Sequence, residues 1–306
     1  MGCFNFSYFY FPERSRDNLR AFVENIHAEC PGQTQNRYLS RIRFHIDKGE
    51  MKNFFPELVH QEPFLLKNLP LFDDIERSKI LLLIIGETVG RCVAYSEYNQ
   101  SYITDIRPTP TSAELSSGTE LLSMHNDLSF ASDHCRPQRL VLLPHISEGN
   151  IPKTLLATSQ DIKNELSPAE ISLLSDAVFE MRAGGKLLWP NEEIRKLRIF
   201  DKKADGSLQI KMNFSNIRPA AHLDSEKFVQ AEQALEKLSK IALDIGLRDG
   251  HPILKGEALI IPNDYTVHGR DVFASDDVKR LLLRSYVVSQ DIVDAHHGNT
   301  MLSLRS

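Results

Sequence analysis

Two histidines, an aspartate and two arginines are the residues of this chain whose types and spacing could do chemistry together. The segment Leu121–Phe130, LLSMHNDLSF, sets His125 and Asp127 two apart. On an extended segment such residues point to the same side, so an imidazole and a carboxylate can reach one ion. Taken alone this spacing arises often by chance, and a surface turn in which Asn126 and Asp127 bond their own backbone would also produce it. The segment Gly256–Arg270, GEALIIPNDYTVHGR, runs an apolar strand into a turn at Pro262-Asn263-Asp264 and then presents His268. A histidine satisfied by ordinary hydrogen bonds is the bland alternative there. In Arg280–Val288, RLLLRSYVV, two arginines flank three leucines in a strand that otherwise reads as buried. Arginine is rarely buried without a partner, so Arg280 and Arg284 each require an anion, which structural salt bridges would also supply.

These residues need elements to hold them. Leu19, Phe22, Val23 and Ile26 recur at helical spacing, which predicts a helix over 15–30. A second helix is expected over Arg77–Tyr95, punctuated by Gly86 and Gly90. A third is expected over Ser225–Ile245, with Asp224 or Ser225 as N-cap and Gly246 as its stop. Strands are expected at Ser101–Ile106, Arg139–Leu143, Lys153–Ala157, Leu208–Phe214, Ala258–Ile261 and Leu281–Val288. This order is not a βαβα alternation, so a doubly wound parallel sheet is disfavoured and a β-sandwich or barrel decorated with helices fits better. No Pro-, Gly- or Ser-rich linker divides the chain. The expectation is a single domain over 1–306, helical over 1–100 and β-rich over 101–290.

Bulk composition narrows the class. The 306 residues are 42% hydrophobic and 25% charged with a net charge of −5, an ordinary globular balance. No Lys/Arg block suggests a nucleic-acid or anionic-membrane partner. Apolar runs such as Ile80–Ile85 are too short to span a bilayer. The start, MGCFNFSYFYFPERSR, lacks the basic and apolar regions of a signal peptide, and Ser7 falls one position late for an acylation pattern at Gly2. Cys3, Cys30, Cys92 and Cys135 form no CxxC pair, so reduced thiols in a cytoplasmic protein are expected.

Two histidines and one carboxylate on one face of a metal leave positions open, the arrangement of non-haem Fe(II) oxygenases. A guanidinium in turn matches a carboxylate by two parallel hydrogen bonds. Five elements in order carry a family likeness: Thr104–Pro108 (TDIRP), His125-Asn126-Asp127, Thr154, Asn263-Asp264 with His268 and Arg270, and Arg280 with Arg284. From about Ser101 to Val288 the chain resembles the Fe(II)/2-oxoglutarate-dependent dioxygenases of the clavaminate synthase and taurine dioxygenase group, amino-acid hydroxylase type. The stretch after Thr154, with its strand followed by a Leu-Ser-x-x-Glu helix start, resembles the family too.

The resemblance implies a mainly β fold with helices. Its core would be a double-stranded β-helix (jelly roll, cupin-like) with N-terminal helices and a helical insert near 225–245. It also implies roles. His125, Asp127 and His268 would hold Fe(II), and no catalytic group beyond them is expected. Arg280 and the Thr154 hydroxyl would bind the far carboxylate of the co-substrate 2-oxoglutarate. Arg284 would bind the acid group of the substrate, about 13 Å along the same strand face. Asn213 and Asn216 resemble a substrate-facing segment, with turn formation as the alternative, and Thr104 would contact the substrate amino group. The implied reaction couples oxidative decarboxylation of 2-oxoglutarate by O₂ to C–H hydroxylation of a small acid, in the first place a free L-amino acid. Asp127 favours hydroxylation, or desaturation, over halogenation. Asparagines in place of acids at 213 and 216 weaken an arginine substrate and leave lysine open, with Asp105 or Asp224 for its ammonium. A sulfonate or carrier-bound amino acid remains an alternative, as does a non-catalytic jelly-roll binding protein. His134 and His145 read as surface or supporting residues, His296 and His297 as solvated, and Trp189 as a packing residue. The oligomeric state is not legible.

Overall fold

The computed structural model describes residues 7–32, 34–50, 55, 61–98, 100–109, 116–182, 195–274 and 278–304. The first part of the chain forms β1 (Ser7–Tyr10), α1 (Glu13–Glu29), α2 (Gln35–Asp47), β2 (Phe64–Lys67), α3 (Ile75–Val89), β3 (Arg91–Tyr95) and β4 (Thr104–Ile106). The middle forms β5 (Leu122–His125), β6 (Arg139–Glu148), β7 (Thr154–Thr158), α4 (Ser159–Asn164), α5 (Pro168–Leu174), β8 (Phe179–Met181), β9 (Arg195–Leu197), β10 (Phe200–Lys202), β11 (Leu208–Ile210) and β12 (Ile217–Pro219). The last part forms α6 (Ser225–Asp249), β13 (Ala258–Pro262), β14 (Thr266–Arg270), β15 (Lys279–Val288), α7 (Gln290–Ala295) and β16 (Met301–Leu302).

A large sheet runs β1-β2-β13-β6-β15-β3-β16, with β4 also paired to β15, and a small sheet runs β5-β14-β7. Side chains alternate across a strand, and the central strands are apolar on both faces. Val141, Leu143, Ala258, Ile260, Leu281, Leu283 and Val287 pack outward with Leu19, Val23 and Ile26 of α1, Leu39 and Ile42 of α2, and the Ile80–Ile85 run of α3. Leu140, Leu142, Leu259, Ile261, Leu282, Tyr286 and Val288 pack inward with Leu156 of the small sheet. The small sheet's other face, Met124, Leu155, Ala157 and Val267, is covered by Ala231, Ala234, Leu238, Ala242 and Ile245 of α6. The layers are therefore helices, large sheet, interior, small sheet, helix, which is a jelly-roll core with N-terminal helices and a helical insert. The candidate residues lie in the interior layer.

Several expected boundaries move. The second helix ends at Val89, and Arg91–Tyr95 is instead a strand antiparallel to β15. Gly90 makes this possible, because a Cβ there would lie 2.5 Å from the Val288 carbonyl oxygen. With β1 and β2, the first hundred residues thus supply three strands as well as helices. The strand expected over Leu208–Phe214 stops at Ile210. Helix α6 starts as expected, with the Asp224 side chain accepting from Lys227 N, but runs past Gly246 to Asp249. Gly246 is a close-approach residue rather than a stop: a Cβ there would sit 3.0 Å from Leu155 Cβ and Met124 Cε. Without side-chain bulk, α6 lies directly against the strand that carries Met124, next to His125.

Gly246→Val should therefore cost about 1–3 kcal/mol by overpacking, despite removing a helical glycine. Urea denaturation measures it, and an unchanged midpoint would show that α6 does not press on the small sheet.

Candidate metal centre and its cavity

Pairing of β5 with β14 puts His125 directly opposite His268. The two rings lie 4.5 Å apart at 46°. Asp127 sits just past the end of β5, with its Oδ1 3.3 Å from His125 Nε2 and 3.8 Å from His268 Nε2. The three donor atoms lie within 4.8 Å of one another. Ligands about 2.1 Å from a shared ion and at right angles to each other lie about 3 Å apart, so the set fits a small divalent cation with little adjustment.

The neighbouring groups act differently on the three members of the set. His125 Nδ1 lies 2.8 Å from the Ser123 carbonyl, which only a protonated Nδ1 satisfies, so Nε2 is the nitrogen that faces Asp127. Burial works against a charge on His125, but the Asp127 carboxylate prevails and holds its pKa above the usual value. His268 goes the other way: burial, then the charge of His125, pull it down to about 3. Burial is the largest influence on Asp127 and pushes its pKa up, yet Arg284 and the two imidazoles outweigh it and keep the carboxyl ionised. The two carboxylate oxygens are divided, since Oδ2 takes a 2.8 Å hydrogen bond from Arg284 Nη1. The Arg284 guanidinium lies over the Tyr286 ring, 4.7 Å from its centroid, and among the described residues its buried Nε has no partner. Tyr98 belongs to the same surroundings, its phenol pushed up to about 12 by burial and by the charge of Asp127.

Two asparagines hold the loop. Asn126 donates to the carbonyls of Asn263 (2.6 Å) and Thr266 (3.0 Å) and accepts from Met212 N (2.9 Å). Asn263 binds Asp127 on both sides, accepting from its N–H at 2.9 Å and donating to its carbonyl at 2.9 Å. Leu128, the next residue, has φ 53°, a left-handed conformation uncommon outside glycine. In the sequence Asn126 reads as a candidate turn residue and Asn263 as part of a turn, and neither reading points to a hold on Asp127. The available signal was an amide flanked by apolar residues, beside a candidate ligand, at a strand end.

His125, His268, Thr154, Arg280 and Arg284 line one cavity, with Leu142 and Leu282 on its apolar wall. Thr154 is buried on β7, opposite Arg270. Arg270 points its guanidinium at the carbonyls of Ser116 and Glu120 and at the Phe273 ring, not at a carboxylate. Arg280 is only 9% exposed, and among the described residues no hydrogen bond or ion pair satisfies its side chain. Burial, then the charge of Arg270, lower it to about 10. A cation so placed calls for an anion, and the described residues supply none. Thr104 lies opposite Arg284 in the β4–β15 ladder and therefore on the same face.

Other expected residues fall elsewhere. Asn213 forms a backbone bridge with His125, but its side chain accepts from Ser215 N at 3.2 Å, the turn-forming use. Asn216 is in the same turn, its carbonyl accepting from Arg182 N at 3.1 Å. Neither side chain lines the cavity around Arg280. Asp105 is exposed between two inward neighbours, and Asp224 is committed to the start of α6. Asp264 pairs with the buried Arg136 at 2.5 Å. His145 is buried on the helical side of the large sheet, 2.9 Å from Ser78 Oγ. His134 is exposed, and its carbonyl meets His296 Nε2 at 2.9 Å. His297 is exposed too, and Trp189 lies outside the described residues.

No family model matches the sequence, and no curated protein matches it. Solved structures do resemble it in fold. An asparagine oxygenase in complex with Fe(II), (2S,3S)-3-hydroxyasparagine and succinate superposes with a TM-score of 0.78 at 16% identity, covering 97% of this chain and 99% of that one. The non-haem iron oxygenase OrfP with Fe and alpha-ketoglutaric acid gives 0.69 at 13% identity, covering 97% and 98%. OrfP with Fe, succinate and (3S)-hydroxy-L-Arg gives 0.69 at 13% identity, covering 96% and 99%.

The unpaired Arg280 makes a prediction of its own. Its folded-state pKa lies below that of a free guanidinium, so the cost of the buried charge is present in full below about pH 10 and is relieved only as pH rises further. Arg280→Met should therefore stabilise the ligand-free protein across neutral pH, by about 1–3 kcal/mol in urea denaturation. A loss of stability would mean that the guanidinium has a partner.

Proposed function

We propose that this protein is an Fe(II)- and 2-oxoglutarate-dependent oxygenase that hydroxylates a small free amino acid, acting as one domain over 1–306. The observation that carries the proposal is the buried, unpaired Arg280 in the same cavity as a His-Asp-His set. A metal-binding protein would need only the triad. A cation held in reserve beside it calls for an anionic co-substrate, and 2-oxoglutarate has one carboxylate to chelate a metal and another to reach a guanidinium.

In this reading His125 Nε2, His268 Nε2 and Asp127 Oδ1 hold the iron. Arg280 takes the far carboxylate of 2-oxoglutarate by two parallel hydrogen bonds, with the Thr154 hydroxyl beside it. Arg284 keeps Asp127 Oδ2 on one nitrogen, which leaves Asp127 a single oxygen for the metal, and offers its free Nε to the acid group of the substrate. Thr104, across the ladder, faces the same substrate. Leu142 and Leu282 exclude water from the wall between the two acids, which strengthens each charge pair. When bound, iron and 2-oxoglutarate supply oxidative decarboxylation with O₂ and the oxidising power to hydroxylate a C–H bond. The protein's part is to decide which C–H bond lies within reach. The similar folds of an asparagine oxygenase and OrfP support a free amino acid as substrate. The side-chain preference is set by residues other than Asn213, whose amide is engaged in its own turn.

Among the described residues no helix is long and apolar enough to cross a membrane. Cys30, Cys92 and Cys135 are buried free thiols, in keeping with a cytoplasmic setting.

Succinate formation, measured with Fe(II), 2-oxoglutarate, O₂ and each L-amino acid in turn, tests the reading. One or a few amino acids should stimulate turnover strongly, and His125→Ala should abolish it. Stimulation by sulfonates alone, or by none of the free acids, would overturn the amino-acid assignment. Arg280→Met should raise the KM for 2-oxoglutarate by about 100-fold, the loss expected when a charge-assisted pair worth about 3 kcal/mol is removed.

A further inference from the structure

We propose that Asn263 is a positioning residue for the Asp127 carboxylate, setting the direction in which that carboxylate meets the metal. The inference rests on the metal-centre reading above and adds to it a residue that touches no ligand.

Strand pairing fixes the two histidines, because His125 and His268 face each other in the β5–β14 ladder. It does not fix Asp127, which lies beyond the end of β5. Its chain neighbour Leu128 is left-handed at φ 53°, a conformation that persists only when surrounding contacts impose it. Asn263 supplies such contacts. It is fully buried. Its Oδ1 accepts from Asp127 N at 2.9 Å, and its Nδ2 donates to the carbonyls of Asp127 at 2.9 Å and Pro137 at 2.8 Å. One rigid amide therefore grips the peptide planes on both sides of the Asp127 Cα, and so fixes its Cα–Cβ direction. Both amide protons and the amide oxygen are used, the full donor and acceptor set of a carboxamide. The Asn263 carbonyl in turn accepts from Asn126 Nδ2 at 2.6 Å, which ties in the residue between the two sequence-adjacent ligands.

Its neighbour Asp264 provides a control within the same turn. Asp264 faces away, to Arg136 at 2.5 Å and Gln209 Nε2 at 3.4 Å, and stabilises the fold without touching Asp127. A purely structural role for the turn would make the two positions equivalent. A positioning role separates them.

The test is an anaerobic Co(II) titration of the full chain, followed by visible absorption, with thermal melting of each metal-free protein. Asn263→Asp keeps the shape but removes both donors, and Asn263→Ser removes the grip altogether. Both should weaken Co(II) binding by about 10- to 100-fold and shift the Co(II) spectrum, the usual consequence of releasing a ligand from its support. Asp264→Asn should lower the melting temperature while leaving Co(II) affinity and spectrum as in the wild type. Folded Asn263 variants with wild-type affinity and spectrum would overturn the inference alone. So would equal weakening in Asp264→Asn, or failure of both Asn263 variants to fold, since either would make the residue structural. Absence of Co(II) binding in the wild-type protein would overturn the metal centre itself.

Discussion

The antiparallel pairing of β5 with β14 sets His125 opposite His268, and the rest of the site is organised from that contact. The two residues are far apart in sequence, and only a ladder shared by their strands brings both imidazoles to one point. The ladder holds because the small sheet is apolar on its outer face and α6 covers it. A glycine at 246 lets the helix come close enough to touch Met124 and Leu155. A one-residue slip between β5 and β14 would turn one histidine away from the interior. The long helix, remote in sequence from the candidate ligands, is therefore part of what holds them.

Charge is the second organising principle. Among the described residues of the cavity and the triad, Asp127 is the one carboxylate, and Arg270, Arg280 and Arg284 outnumber it. Arg284 and Asp127 satisfy each other at 2.8 Å, and this leaves the other carboxylate oxygen turned toward the imidazoles. Among the described residues Arg280 has no such partner and Arg270 rests on carbonyl oxygens, so these residues leave the cavity with excess positive charge. Such an arrangement is unfavourable for folding alone. A bound anion with two carboxylates would offset that cost, which is why Arg280 supports the proposed anionic co-substrate more strongly than the triad does.

The candidate ligands were legible in the sequence for local reasons. His125 and Asp127 are two apart, and the motif order tied them to His268, Arg280 and Arg284. The cores of the strands at 139–148 and 279–288 were visible because they are apolar on both faces. The strand at 91–95 was hidden because it continues the apolar run of α3, and only the tight packing at Gly90 marks the break. Asn126 and Asn263 were hidden for a different reason. Asparagine at a strand end usually forms its own turn, as Asn213 does here. Whether such an amide reaches its own backbone or a distant ligand is decided by tertiary contacts that a single sequence does not display. The division of the Asp127 oxygens between imidazoles and Arg284 is likewise a tertiary fact.

The central claim is that one cavity binds a metal through the triad and a dicarboxylate through Arg280. The most direct measurement is an anaerobic titration of 2-oxoglutarate into Fe(II)-loaded protein, followed by its weak visible charge-transfer absorption. The account predicts saturable absorption in the wild type, none in His268→Ala, and saturation only at much higher concentration in Arg280→Met. Iron-loaded wild-type protein that develops no such absorption, or an Arg280→Met variant that saturates at the wild-type concentration, would contradict it.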